Sequence, residues 1–239
     1  GTTHLSSRYY NTPLVWYGQR CFPPSVTLTP ESFDLPFIQR ADGLIHIDQV
    51  QGYFASHYQG TPFDPVGQGT ATEKHQYRPI SLAKTQESHV LQLRPDLPVT
   101  LSGIHWLAMG VAAESVYVPF YAGATTTPAA YQVATEKYDA TSAYWIFKHV
   151  GILVDAHYHE LHGELQTVQK ELAIQLGHHI IVTDQQVAAL TGDELAMALT
   201  KANQKAADQA LNTMQALAAD LITKSTDMSP LNYDTDLNL

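Results

Sequence analysis

The sequence predicts a mixed α/β (α+β) fold with long C-terminal helices. Two strand-like runs lie near the middle of the chain, and two long stretches of helix-forming residues follow them. We therefore expect a single region in three parts. Residues 1–139 hold a wrapping segment, a short helix and strands, residues 140–225 hold the long helices, and residues 226–239 form a polar surface tail.

The N-terminal part combines aromatic and proline-rich sequence with one short helix. Prolines and aromatic residues are frequent in residues 1–45, which predicts packed but irregular structure with one helical turn near Trp16. From Ile47, apolar residues recur at helical spacing, so a short amphipathic helix is expected to end near Gly60. Three glycines and two prolines in residues 60–70 predict a loop.

The middle of the chain carries the strand signals. Residues 80–93 and 103–111 are two strand-like runs separated by turn residues, and residues 116–121 are a candidate third strand. The second run is apolar on both sides, which suits a sheet covered by other layers. The first run alternates, which predicts one buried face. Its alternating residues are Ile80, Leu82, His89, Leu91 and Leu93.

Two long helices are expected after Ala140. The first extends from about Thr141 to Leu176, with Gly177 as its C-cap. The second extends from about Asp193 to Lys224, and its recurring leucine and alanine residues predict a buried stripe. We expect the two helices to pack antiparallel.

Composition and charge exclude some classes of partner. The chain has 239 residues, of which 44% are hydrophobic and 15% charged, as in an ordered globular protein. With 13 basic against 23 acidic residues, its net charge is -10, which argues against nucleic acid and anionic membranes. No apolar run approaches the ~20 residues that span a bilayer. The single cysteine fits a reducing compartment, so we expect a cytoplasmic protein.

A histidine-rich cluster, DAHYHELH, is a candidate metal site. On one continuous helix, Asp155, His159 and His162 would lie on one face, and His157 and Glu160 lie between them. The cluster does not have the HExxH pattern of zinc peptidases. We therefore favour an ordinary helix surface rich in histidine, and predict no metal.

Two residues near the N-terminus are candidate nucleophiles. Cys21 has none of the local motifs of cysteine proteases, so a buried or incidental thiol is favoured. Thr2 follows Gly1 as in the processing sites of threonine N-terminal-nucleophile hydrolases, but proteasome-like Asp and Lys partners do not follow it. Because the chain starts Gly-Thr-Thr without methionine, we expect upstream sequence to be missing.

Arginines near the aromatic segment are candidate anion-binding residues. Arg8 and Arg20 flank it, and the planar guanidinium can hold an oxyanion or a substrate carboxylate. The alternative is that both side chains cover apolar surface with their stems. Arg78 and Asp64 are weaker candidates for a functional role.

Several segments, in this order and at this spacing, resemble the later portion of the dipeptidase A family. The resemblance covers about Arg8 to His159. These enzymes are cysteine N-terminal-nucleophile hydrolases related in fold to penicillin V acylase and bile-salt hydrolase. The segments are SSRYYNTPLVWYGQR, HYQGTPFDP, RPISLAKTQESHVLQLRP, GIHWLAMG and YVPFYAG.

The resemblance implies part of an αββα sandwich and hydrolysis of dipeptides with broad specificity, without a metal or organic cofactor. The nucleophilic cysteine of that family lies at the mature N-terminus, in a half of the protein that this chain does not contain. Related acylases use an arginine in a segment like SSRYY, so the resemblance makes Arg8 the first supporting candidate. Arg20 follows as a catalytic candidate and Asn11 as a substrate-binding candidate.

Three functions remain open from the sequence. The leading one is the C-terminal half of a dipeptidase, inactive alone, whose partners are the dipeptide substrate and the missing N-terminal half. The others are a threonine hydrolase that uses Thr2, and a non-catalytic helical assembly module. Since half of a sandwich leaves sheet surface open, we also expect a homo-oligomer.

Overall fold

The computed structural model describes residues 11–22, 25, 28–32 and 35–231. The described residues fall into two compact units, which divide between Thr85 and Gln86. The sequence assigned the strands and the long helices to different parts of the chain. In the structure they lie in the same unit. Among the described residues, no helix combines the length and the apolar composition needed to cross a membrane.

The first unit contains the helices α1, Thr12–Cys21, α2, Ile47–Phe54, and α3, Ala71–Lys74. The prediction of a short helix from Ile47 is confirmed, but the helix ends at Phe54 rather than near Gly60. Near Trp16 the structure has a helix of ten residues rather than a single turn. Pro13 lies in its first turn, where a missing N–H costs no helical hydrogen bond, and so does not interrupt the helix.

Aromatic side chains form the core of this unit. Trp16, Tyr17, Tyr58 and Tyr77 are buried together. The rings of Tyr17 and Tyr58 pack edge to face, with centroids 5.3 Å apart. Their polar atoms donate hydrogen bonds to backbone carbonyls of loops. Trp16 Nε1 donates to Leu28 O at 2.7 Å, and the Tyr58 hydroxyl donates to Arg78 O at 2.7 Å. The aromatic side chains therefore both fill the core and fix the loops around it.

The second unit begins with an antiparallel sheet of order β1-β2-β3. Its strands are β1, Glu87–Leu93, β2, Gly103–Met109, and β3, Val118–Tyr121. A single helical turn, α4, Val99–Ser102, follows the predicted turn between β1 and β2. All three predicted strands are confirmed, but the first begins at Glu87 rather than Ile80, because turns occupy residues 80–86.

The predicted buried face of β1 is wrong. Leu91 and Leu93 are 69% and 78% exposed. Leu91 pairs with His105 and His105 with Phe120, so these three side chains share one sheet face. The helical core packs against this face at Phe120, on β3, whereas β1 is the opposite edge strand. The alternation correctly predicts a strand with two different faces, but the apolar face of β1 is exposed in this structure.

The outer edge of β3 is covered by a side chain that the sequence analysis missed. Asn203, on the last long helix, accepts the Tyr121 N–H at 2.7 Å and donates to Tyr121 O at 3.1 Å. The Asn203 side chain thus completes the hydrogen bonding of an edge strand from within a buried helix face. It is a polar position in a stripe otherwise made of leucine, alanine and methionine.

Three long helices complete the second unit: α5, Ala143–Ala156, α6, Tyr158–Val187, and α7, Gly192–Ser225. The prediction of α7 is confirmed at both ends to within one residue. The prediction of one helix over 141–176 is wrong, because His157 has a non-helical backbone (φ -141°, ψ 56°) and separates α5 from α6.

Gly177 is not the C-cap that the sequence predicted. It lies inside α6, which continues to Val187. Leu176 and Ile180 are both buried, so the apolar stripe passes across the glycine without interruption. Burial of this stripe outweighs the low helix propensity of one glycine, which is about 1 kcal/mol.

The predicted antiparallel packing of the long helices is confirmed. Glu164 pairs with Lys224, Gln175 with Gln209, and His179 with Ala202. Residue numbers therefore rise along α6 as they fall along α7. Beyond α7, a turn at Thr226–Met228 begins the predicted tail, of which residues 232–239 lie outside the described part.

Candidate functional site

The predicted site residues Asn11 and Arg20 lie at opposite ends of α1. Asn11 is the N-cap residue and Arg20 lies in the last turn, and both are exposed. Nine residues at about 1.5 Å each separate them by about 13 Å along the axis. The structure therefore places the two residues at opposite ends of one helix, and their roles stay predictions. Arg8 and Thr2 lie outside the described residues.

Cys21, the last residue of α1, has the properties of an unreactive thiol. Its pKa is raised because the thiol loses hydration, and the nearby Arg20 lowers the pKa only in part. Reactive cysteines have the opposite shift, since the thiolate is the nucleophile. Cys21 is exposed, so the predicted buried thiol is wrong, and the raised pKa favours the incidental role over a catalytic one.

A histidine–aspartate pair in the first unit was not predicted. His57 Nδ1 donates to Asp64 Oδ1 at 2.8 Å, and the two side chains are only 14% and 11% exposed. Asp64 Oδ1 also accepts the Val66 N–H at 3.0 Å. A carboxylate on Nδ1 fixes the ring and directs Nε2 outward as a base or ligand. The candidate Asp64 thus contacts His57, and both residues lie in the segment HYQGTPFDP.

The loop around this pair requires its glycines. A Cβ at Gly67 would lie 2.8 Å from Asp64 Cβ, and a Cβ at Gly69 would lie 2.0 Å from Pro62 O. The predicted loop at residues 60–70 is confirmed. Next to His57, Tyr58 is fully buried with a positive φ of 71°, a conformation that costs a non-glycine residue energy. Packing in the aromatic core maintains that conformation.

Two further polar atoms in this segment are buried without a hydrogen-bond partner in the described part of the chain. They are Gln51 Nε2 and Ser56 Oγ. Buried polar groups are normally satisfied, so these atoms need a partner beyond the described residues. Together with His57 and Asp64 they make residues 51–64 the strongest candidate site of the first unit. Arg78, by contrast, is exposed and contributes its backbone carbonyl to Tyr58.

The structure does not bring the residues of DAHYHELH together as a metal site. Asp155 lies on α5 whereas His159 and His162 lie on α6, because the helix breaks at His157. The His162 ring stacks on Tyr158, with centroids 4.4 Å apart. Within residues 11–231, as far as they are described, no three His, Cys, Asp or Glu side chains are arranged to hold a metal ion.

Among the described carboxyl groups of the second unit, the buried Glu114 has the most strongly raised pKa. Burial and the nearby Asp155 carboxylate raise the pKa of Glu114 to about 8, although Lys148 partly opposes this. The Glu114 carboxyl group lies against α5, where a Cβ at Gly151 would be 2.1 Å from Oε2. Such a carboxyl can transfer a proton near neutral pH. Its isolation in the apolar sequence GVAAESVYV was the available signal.

Two cavities open beside the sheet of the second unit. One, of about 490 Å³, lies over the open sheet face and includes Leu91, His105 and Phe120 in its lining. The other, of about 470 Å³, is lined by residues of the start of β1, by Met109 at the end of β2, by residues 131–136 and by the first turn of α5. Tyr131 contributes to both linings. Both volumes fall in the range of about 300–1,000 Å³ that is usual for small-molecule sites.

Comparison with known proteins decides the family. The family model described as peptidase family C69 matches residues 1–171. This chain belongs to peptidase family C69. The resemblance to dipeptidases found in the sequence motifs is thereby confirmed, and the C69 match includes the His57–Asp64 pair and Glu114.

Several curated relatives of this C69 chain are named dipeptidases. It is 36% identical to a probable dipeptidase of Latilactobacillus sakei over all of the chain and 50% of the relative. It is 36% identical to dipeptidase A of Lactobacillus helveticus over 98% of the chain and 49% of the relative. For probable dipeptidase B of Lactococcus lactis the identity is 31% over the same shares. The chain thus spans about half the length of the curated relatives it matches.

Proposed function

We propose that this chain is the C-terminal half of a cysteine dipeptidase that hydrolyses dipeptides with broad specificity. The observation that carries the proposal is a match over 98% or more of the chain to half of each of three relatives named dipeptidases. The nucleophile is a cysteine of the N-terminal half. The raised pKa of Cys21, the only cysteine in the sequence, supports that division.

The N-terminal half completes an αββα sandwich by covering the open sheet face. The exposure of Leu91 and Leu93 supports this proposal, because apolar side chains on an edge strand are normally covered. Without that half, the chain is expected to form a homo-oligomer in the cytoplasm through the same face. Light scattering of the purified chain tests this, and a stable monomer at high micromolar concentration would contradict it.

The present half contributes substrate contacts and oxyanion stabilisation. Arg8 and Arg20 are the proposed supporting catalytic residues, and Asn11 is a proposed substrate-binding residue. Peptide hydrolysis needs donors for the developing oxyanion, and a dipeptide offers a free carboxylate to a guanidinium. No metal or organic cofactor is required. A second candidate, hydrolysis through Thr2, has no supporting observation in the described residues.

The proposal is tested in the longer protein by steady-state hydrolysis of simple dipeptides. Replacing Arg8 with Gln is expected to lower kcat/KM by about 100-fold, as removal of an oxyanion donor does. Arg20→Gln is expected to have a smaller effect, of about tenfold. Arg40→Gln, at an exposed position, is the matched control. Wild-type activity in both Arg8→Gln and Arg20→Gln would remove these residues from the account.

A further inference from the structure

The second cavity of the sheet unit has an aromatic wall held in a fixed orientation. We name it the Trp145 cavity; it is lined by the residue groups given above, including Tyr144 and Trp145 at the start of α5. Trp145 Nε1 donates to Thr135 Oγ1 at 3.0 Å and to Thr135 O at 3.2 Å. Tyr144 packs edge to face on Trp145, with ring centroids 5.0 Å apart. These contacts position the rings before a ligand arrives.

The ionisable groups in this lining are acidic. Glu87 and Glu136 contribute carboxylates, and neither lysine nor arginine lines the cavity in the described part of the chain. Glu87 accepts a hydrogen bond from His89 at 3.0 Å, whereas Glu136 is exposed and has no such partner among the described residues. Aromatic faces and carboxylates both attract cations, and neither favours an anion.

We propose that the Trp145 cavity binds a small organic primary ammonium that carries an aromatic or branched apolar group. The ammonium lies between Glu136 and the face of Trp145, and the apolar group contacts Met109 and Tyr131. The cavity volume of about 470 Å³ accommodates a ligand of this size. All residues of this proposal lie in the second unit. The proposal is therefore independent of where the proposed dipeptidase active site lies.

Calorimetric titration with three phenylethyl compounds that differ in their charged or polar group tests the charge preference. The compounds are 2-phenylethylamine, 2-phenylethanol and 3-phenylpropionate, titrated into the purified chain at pH 7 and low salt. We expect the amine to bind with a Kd of about 1–10 mM and the carboxylate at least about tenfold more weakly, with the alcohol between them. Equal binding of the three compounds, or no binding of the amine at 20 mM, would overturn the proposal.

Two variants locate the binding. Glu136→Gln is expected to weaken amine binding about twofold to fivefold while leaving binding of the alcohol unchanged. Trp145→Leu is expected to weaken both compounds, and circular dichroism verifies that the variant is folded. The matched control is Glu171→Gln, at an exposed position of α6. If Glu136→Gln and Glu171→Gln bind the amine equally, the ammonium does not lie at this cavity.

Discussion

In the unit before Gln86, aromatic side chains pack together and fix the positions of loops. In the unit from Gln86 onward, leucine and alanine side chains pack long helices against a sheet. The first unit depends on hydrogen bonds from aromatic side chains to backbone carbonyls, such as Tyr53 to Leu14 O at 2.9 Å. The second buries a continuous aliphatic stripe, with Leu172 and Leu176 almost inaccessible. Regular packing lets the sequence periodicity predict most of the second unit, whereas in the first unit it predicts only the helix that begins at Ile47.

The largest expected effect tests the aliphatic core. Leu172→Ala removes a side chain that is 1% exposed and leaves a cavity between the helices. We expect a loss of about 2–5 kcal/mol in the free energy of unfolding, measured by urea denaturation. The matched control Ile174→Ala, on the same helix but 64% exposed, should change it by less than about 0.5 kcal/mol. Similar losses in both variants would mean that the stripe is assigned to the wrong face.

Asn203→Ala tests the hydrogen bonding at the edge of β3. The variant leaves the buried N–H and C=O of Tyr121 without their side-chain partner. We expect a loss of about 2–4 kcal/mol in unfolding free energy, since each orphaned buried group costs about 1–3 kcal/mol. Asn212→Ala, at an exposed position of α7, is the control. Equal stability of the two variants would show that β3 does not need Asn203.

The raised pKa of Glu114 predicts that the second unit loses stability as pH rises. The carboxyl group is protonated in the folded state up to about pH 8, against a reference pKa of 4.5. Its favourable contribution is therefore fully present below pH 4.5 and is lost as the pH rises towards 8. Glu114→Gln should remove this dependence and raise stability at pH 8 by about 1–3 kcal/mol. A wild-type stability that does not fall over this range would contradict the assignment.

A loop substitution in the first unit gives a contrasting test. Gly69→Ala places a methyl group against the Pro62 carbonyl, and the loop must shift. We expect a loss of about 1–3 kcal/mol, detected by near-ultraviolet circular dichroism of the aromatic core during urea titration. Gly43→Ala, where a Cβ would have nothing within 4 Å, is the control. If both variants behave alike, the loop does not depend on this close approach.

The smallest expected effect has the opposite sign. Gly177→Ala replaces a helix-interior glycine whose Cβ would contact nothing within 4 Å. It should stabilise the chain by about 0.5–1 kcal/mol, measured as a higher urea midpoint. Destabilisation would instead indicate a helix end near residue 177, as the sequence alone suggested.

The correct sequence predictions are those that rest on a repeated pattern. The helix over residues 192–225, the three strands and the loop at residues 60–70 all follow from periodicity or turn residues. The break at His157 carries no proline or glycine signal, and so the continuous helix was wrong. The exposure of Leu91 could not be predicted, because alternation shows that a strand has two faces without showing which one is covered.

The candidate sites also separate into features that a sequence pattern predicted and features that it did not. Ordered motifs led to the family, which the C69 match confirms. The His57–Asp64 pair was missed because the contact joins residues across a loop whose path is set by packing around Gly67 and Gly69. The raised pKa of Glu114 likewise depends on its burial and on its approach to Asp155, about 40 residues away in sequence, and no local motif encodes either.

Dipeptide hydrolysis after reconstitution tests the central proposal most directly. The purified chain is assayed alone, with the N-terminal half of the longer protein, and with that half after replacement of its first-residue cysteine by alanine. The account predicts activity only for the chain combined with the unaltered half. Turnover by the chain alone, abolished by Thr2→Ala or Cys21→Ala, would contradict it.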